Sequence, residues 1–196
     1  MRSSASTPNP TPRPLRLLVV LEGEDHPKAC TGRRLLHRGL AEEVAGVHGL
    51  RPAPIVLDPH AHDPISERDR AAAERGGVLV VDCSWNRLAG RGRFPSDDDG
   101  PGRRERRRRL PFLLAANPQH FGRLAELNTV EALSAAVYLL GRPEDAAALL
   151  EGFRGGPSFL DLNVERLRAY RGRPDPDAVR AAERSLFGSE PRAATT

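Results

Sequence analysis

The run Val78-Leu79-Val80-Val81 leads directly into Asp82-Cys83-Ser84-Trp85, and Trp85 is the only tryptophan of the chain. Four consecutive apolar residues after Gly76-Gly77 read as a buried strand. A strand that ends on an acid and a lone indole delivers both to its C-terminal edge. In open α/β sheets the crevice beyond those edges is where ligands bind. The same residues also suit a turn-capping Asp82 and a core-filling Trp85, because a buried indole is common. The local run leaves both readings open.

The rest of the chain follows an α/β pattern. Leu15 to Leu21 is apolar apart from Arg16 and reads as a buried strand. Thr31 opens a helix with Leu35, Leu36, Leu40 and Val44 on one stripe. Pro52 to Leu57 is a short strand closed by Asp58-Pro59. These pieces make a small N-terminal unit over 15–60, built like βαβ. Ser66 with Asp69 starts a short helix that ends at Gly76-Gly77. After the strand 78–81, residues 86–109 form a long Gly/Arg/Asp-rich segment without periodicity. Leu110 to Ala116 reads as a further strand, turned by Asn117-Pro118. Asn128 with Glu131 is a capping box for a helix to about Leu140, stopped by Gly141. Pro143 opens a helix to about Phe153, Asn163 caps one to about Tyr170, and Asp175-Pro176 opens one to about Phe187. Roughly five strands and six helices result, with 61–188 as the larger unit.

Composition narrows the function classes. No apolar run of the 196 residues approaches the roughly 20 that a spanning helix needs. Residues 1–14 are rich in Ser, Thr and Pro, without the apolar stretch of a secretory signal, and read as a disordered tail, as do 189–196. Cys30 and Cys83 stand outside any C-x-x-C, and no cluster has zinc spacing. The expectation is a cytoplasmic protein with reduced thiols and no metal. Asp97-Asp98-Asp99-Gly100 lacks the remaining ligands of a calcium loop. The net charge is +4, carried almost wholly by arginine, since Lys28 is the only lysine. Arg103, Arg104, Arg106, Arg107, Arg108 and Arg109 form a basic block. Guanidinium forks suit phosphates and stack on bases, so the block reads as an RNA-facing edge, or else as a solvated charged loop.

No nucleophile elbow, P-loop, GxGxxG or HExxH is present. The chemistry that remains is a helix start at Thr31-Gly32, an acid and an indole at a strand end, and the turns 109–118 and 122–131. Helix-start N–H groups attract carboxylates, and Gly32 leaves room for a ligand. Asp82 can hold an ammonium group. Trp85 can cover a sulfonium, an attraction of about 0.5–2 kcal/mol. Carboxylate, ammonium and sulfonium together describe S-adenosylmethionine.

Several motifs occur in one order: Lys28-Ala29-Cys30-Thr31-Gly32, Val81-Asp82-Cys83-Ser84-Trp85, Arg109-Leu110-Pro111, Ala115-Ala116-Asn117-Pro118, Gly122-Arg123, Val130-Glu131-Ala132-Leu133 and Ser158-Phe159-Leu160-Asp161-Leu162-Asn163. Over about 15–170 the chain resembles the small-subunit rRNA aminocarboxypropyltransferase family. The resemblance implies a small N-terminal α/β domain and a SPOUT-like C-terminal α/β domain with a deep trefoil knot. It implies transfer of the 3-amino-3-carboxypropyl (acp) group of S-adenosylmethionine to N3 of a pseudouridine, N1-methylated in the mature ribosome. It implies an rRNA or pre-ribosomal small-subunit partner and a monomeric enzyme. By position, Thr31 corresponds to the backbone contact for the donor carboxylate, Val81 and Asp82 to strand-end contacts, and Trp85 to the indole near the sulfonium. Leu110, Leu113, Ala125 and Thr129 correspond to the adenosine side. Asp82 and Trp85 are the candidate catalytic residues.

Two stretches depart from the family pattern. Asn117-Pro118-Gln119-His120-Phe121-Gly122 stands where Asn-Pro-x-Asn-Tyr-Gly is usual, and Arg154-Gly155-Gly156 where a Trp-Gly pair is expected. Competing functions are a SPOUT-type RNA methyltransferase using the same donor and a non-catalytic RNA-binding assembly protein.

Overall fold

The computed structural model describes residues 14–21, 31–46, 49–82 and 106–188. Trp85, Cys30, Cys83, Asp97 to Asp99, Arg103, Arg104 and, Pro14 apart, the two expected tails lie outside them.

Among the described residues, five strands form one parallel sheet. They are β1 (Leu17–Leu21), β2 (Glu42–Glu43), β3 (Ile55–Leu57), β4 (Val78–Asp82) and β5 (Arg107–Arg108). The spatial order is β2-β1-β4-β3-β5. Central β4 pairs with β1 from Leu17↔Val78 to Leu21↔Asp82 and with β3 from Ile55↔Val78 to Leu57↔Val80. Strands from both expected domains, 15–60 and 61–188, thus share one sheet.

Alternation along the strands sends Leu17, Val19, Ile55, Leu57, Val78 and Val80 into the main core. Leu18, Val56, Leu79 and Val81 go to a second cluster on the opposite face. Burial on both faces explains why these strands read as continuous apolar runs.

The helices are α1 (Thr31–His37), α2 (Arg70–Gly76, after the 3-10 turn Glu67–Asp69), α3 (Thr129–Leu139), α4 (Pro143–Leu150), α5 (Gly156–Leu162), α6 (Val164–Tyr170) and α7 (Pro176–Phe187). Helix α3 is buried almost all round and packs on α4, β4, α1 and α6. Across the contact with α4, Ser134 Oγ donates to Ala146 O at 2.9 Å. Helix α5 was not expected from the sequence.

The expected strand 110–116 does not form; its only ladder contact is an isolated bridge, Leu114↔Leu124. Side chains from later in the chain take the place of a neighbouring strand. Phe112 N donates to Glu183 Oε1 (3.1 Å), Leu114 N to Asn163 Oδ1 (2.8 Å) and Ala116 N to Glu131 Oε1 (2.8 Å). Pro111 has no N–H to donate. Asn163 is therefore no side-chain cap for α6, a second correction. Its amide bonds Leu114 on both backbone groups, with Nδ2 donating to Leu114 O at 2.8 Å.

Candidate active site

Asp82 ends β4, and its carboxylate joins three elements. Gly32 N of α1 donates to Oδ2 at 2.8 Å, and Thr129 Oγ1 of α3 donates to Oδ1 at 2.8 Å. Both donors belong to helix starts, where the backbone carries partial positive charge. A Cβ at Gly32 would lie 2.1 Å from Asp82 Oδ2. This corrects one expectation: the room at Gly32 is taken by Asp82, and its N–H serves the protein's own carboxylate. The structure therefore brings Thr31, Gly32, Asp82 and Thr129 together at the C-terminal edge of the sheet. Val81 lies one residue back, buried in the second cluster.

The wall beyond α3 is built from the irregular segment. Leu110 is half-buried against the main core. Leu113 is fully buried, and its carbonyl accepts from Ala125 N at 2.8 Å. That bond ties Leu113 to Ala125, the next residue expected on the adenosine side. Ala125 has φ 63°, the only positive φ on a non-glycine residue among those described. Such backbone costs on the order of 1–3 kcal/mol and is retained where surrounding structure imposes it.

The residue that sequence reasoning placed only as a helix cap is Glu131. It is 1 % exposed. Its carboxylate accepts from Ala116 N (2.8 Å), Asn117 Nδ2 (2.8 Å) and Asn128 N (2.9 Å). The capping box is real, with Asn128 Oδ1 accepting from Glu131 N at 3.0 Å. The tertiary half of the role, fastening 116–117 to α3, has no local signature.

The described part of the arginine block, Arg106 to Arg109, turns inward. Arg107 pairs with Asp58 (3.2 Å), Arg108 with Asp69 (3.0 Å) and Arg109 with Glu183 through two bonds of 2.7 and 2.8 Å. Arg106 donates to Ala53 O at 2.6 Å. Arg107 and Arg108 are each 8 % exposed. Their RNA-facing role is corrected: buried carboxylates need compensating cations, and β5 supplies them. Among the described residues, no group of three or more His, Cys, Asp or Glu side chains could hold a metal ion, and no helix is long and apolar enough to cross a membrane.

Fold and site define an α/β protein with a parallel sheet and a clamped carboxylate, Asp82, at the C-terminal strand edge, the edge at which open α/β sheets bind ligands. Comparison with known proteins narrows this class. Residues 55–187 match the family described as "Ribosome biogenesis protein, C-terminal". The chain is 41 % identical over 172 residues to the 16S rRNA aminocarboxypropyltransferase of Methanopyrus kandleri, covering 86 % of this chain and 98 % of that protein. It is 35 % identical to the 18S rRNA aminocarboxypropyltransferase of Schizosaccharomyces pombe, covering 89 % of this chain and 58 % of that one. The solved structure of the SAM-dependent rRNA:acp-transferase Tsr3 from Vulcanisaeta distributa superimposes with a TM-score of 0.76, 32 % identity and 89 % coverage of both chains. The chain belongs to the 16S/18S rRNA aminocarboxypropyltransferase family.

Proposed function

We propose that this protein transfers the acp group of S-adenosylmethionine to N3 of a pseudouridine or N1-methylpseudouridine in small-subunit rRNA. The observation that carries the reading is the match, over 86 % of the chain, to a protein named 16S rRNA aminocarboxypropyltransferase. The donor supplies a sulfonium: N3 bonds to Cγ, the Cγ–S bond breaks with its electron pair leaving on methylthioadenosine, and the N3 proton passes to water.

The protein's share is placement, and near-attack geometry alone can supply up to about 7–11 kcal/mol. Asp82 fits a cationic donor, because it holds a negative charge at the sheet edge in one orientation. Already hydrogen-bonded to Gly32 and Thr129, it orients rather than deprotonates. Thr31 and Val81 offer backbone contacts to the amino-acid arm. Leu110, Ala125 and Thr129 form the adenosine side, with Leu113 behind them. Trp85, in the same reading, covers the sulfonium. The SPOUT-like knot belongs to this proposal. Its support is that the groups accepting from the Phe112, Leu114, Ala115 and Ala116 amides, the Glu183, Asn163 and Glu131 side chains and Arg123 O, all come from later in the chain. A monomer acting in the cytoplasm on rRNA or the pre-ribosomal small subunit completes it.

The test uses donor labelled either in the carboxypropyl chain or in the methyl group, with small-subunit rRNA as acceptor. Carboxypropyl label in RNA is expected. Methyl label alone would establish the methyltransferase reading. Neither label, with no donor binding by calorimetry, would leave only RNA binding.

A further inference from the structure

Phe121 is 66 % exposed, more than any other large apolar residue among those described. It does not sit on a loose loop. Gly122 N donates to Ala115 O (2.8 Å), Ala115 N to Arg123 O (2.9 Å) and Arg123 N to His120 O (2.9 Å). Asn117 Oδ1 accepts from His120 N at 3.1 Å. Gly122 takes φ 78°, which closes the turn. The His120 ring meets the Glu126 carboxylate, and Arg123 NH1 lies 3.3 Å from the same oxygen. Backbone and side chains thus hold a turn that displays the Phe121 ring and, two residues on, the Arg123 side chain, 63 % exposed.

The turn is also tied to the site. Asn117 bonds Glu131, Glu131 caps α3, and the first residue of α3, Thr129, bonds Asp82. These bonds fasten the turn that carries Phe121 to the start of α3, whose first residue holds Asp82. We propose that Phe121 is a stacking platform for an unpaired rRNA base and that Arg123 holds a neighbouring phosphate. This rests on the rRNA-transferase reading and adds the residues that grip the acceptor. One ring flanked by charged side chains is too small for a stable protein interface, which needs about 1,200–2,000 Å². It suits a base, whose face stacks on an aromatic ring in a sequence-tolerant way. Arginine also matches a phosphate through its fork.

The experiment measures filter binding of in-vitro-transcribed small-subunit rRNA over a range of salt, with donor affinity from calorimetry. Phe121→Ala should weaken RNA binding roughly 5- to 150-fold, with donor affinity and salt slope unchanged. Phe121→Tyr should restore binding, and Phe121→Leu should not. Arg123→Gln should reduce the slope of log K against log salt by about 1. RNA affinity unchanged in Phe121→Ala, or fully restored by Phe121→Leu, overturns the stacking role. An unchanged salt slope in Arg123→Gln overturns the phosphate contact. Wild-type protein that binds RNA and obeys these predictions yet transfers no acp overturns the function reading and leaves the platform standing.

Discussion

Replacing Gly32 by alanine pits two effects of opposite sign. In a helix, Gly→Ala ordinarily stabilises by about 0.5–1 kcal/mol. Here the added methyl would sit 2.1 Å from Asp82 Oδ2 and 2.8 Å from its Cγ. An unstrained carbon–oxygen contact needs roughly 3.3 Å, so the carboxylate must retreat by about 1 Å. Such a shift breaks the 2.8 Å bonds from Gly32 N and Thr129 Oγ1. Hydrogen bonds to a charged group contribute about 1.5–3 kcal/mol each. With part of that recovered from water at this half-buried site, and the helix gain subtracted, the net loss is about 2–4 kcal/mol. At about 2–4 °C per kcal/mol, thermal unfolding should fall by roughly 5–15 °C. Circular-dichroism melts measure the loss, and calorimetry should show weakened S-adenosylmethionine binding. The control is the same substitution beside Asp82→Ala: with the carboxylate gone, Gly32→Ala should become neutral or stabilising. Gly32→Ala as stable as wild type in the intact background would refute the reasoning.

Two further predictions concern the frame. Glu183→Ala strands the Arg109 guanidinium and the Phe112 N–H; it should cost about 3–5 kcal/mol in urea unfolding, and a loss below about 1 kcal/mol would show that water replaces the carboxylate. Burial first, and the Glu183 charge second, push the Tyr170 hydroxyl well above its ordinary 10.0. A raised pKa means the native state keeps the proton longer, so stability is full below pH 10.0 and declines as pH rises toward the folded value. Tyr170→Phe should flatten that alkaline decline in melting temperature, and an unchanged decline would assign it to other groups.

Legibility followed the range of the interactions. Apolar runs at 15–21 and 78–81, the Asn128–Glu131 box and the Pro143 and Pro176 helix starts depend on neighbours within a few residues, and each lies in the structure near where the sequence put it. The segment 110–116 was apolar enough for a strand, but apolarity says where a residue is buried and not which group takes its N–H. Glu131, Asn163 and Glu183 decide that from 15, 49 and 71 residues away. Arg107, Arg108 and Arg109 misled for the same reason. Nothing near 107–109 announces Asp58, Asp69 or Glu183 as partners, and a guanidinium paired with a buried carboxylate reads in sequence like one facing solvent.

The amino-acid sequence by itself determined the α/β class and the strand that ends on Asp82, because those follow from hydrophobic period and local capping, while the motifs around that strand carried the family resemblance. Only the tertiary structure decided that Asp82 is clamped between two helix starts, that Gly32 is glycine to admit a carboxylate, and that Arg107, Arg108 and Arg109 belong to the interior. Those outcomes turn on which charged and polar groups meet across distant chain segments, and burial makes such pairings obligatory without marking them locally.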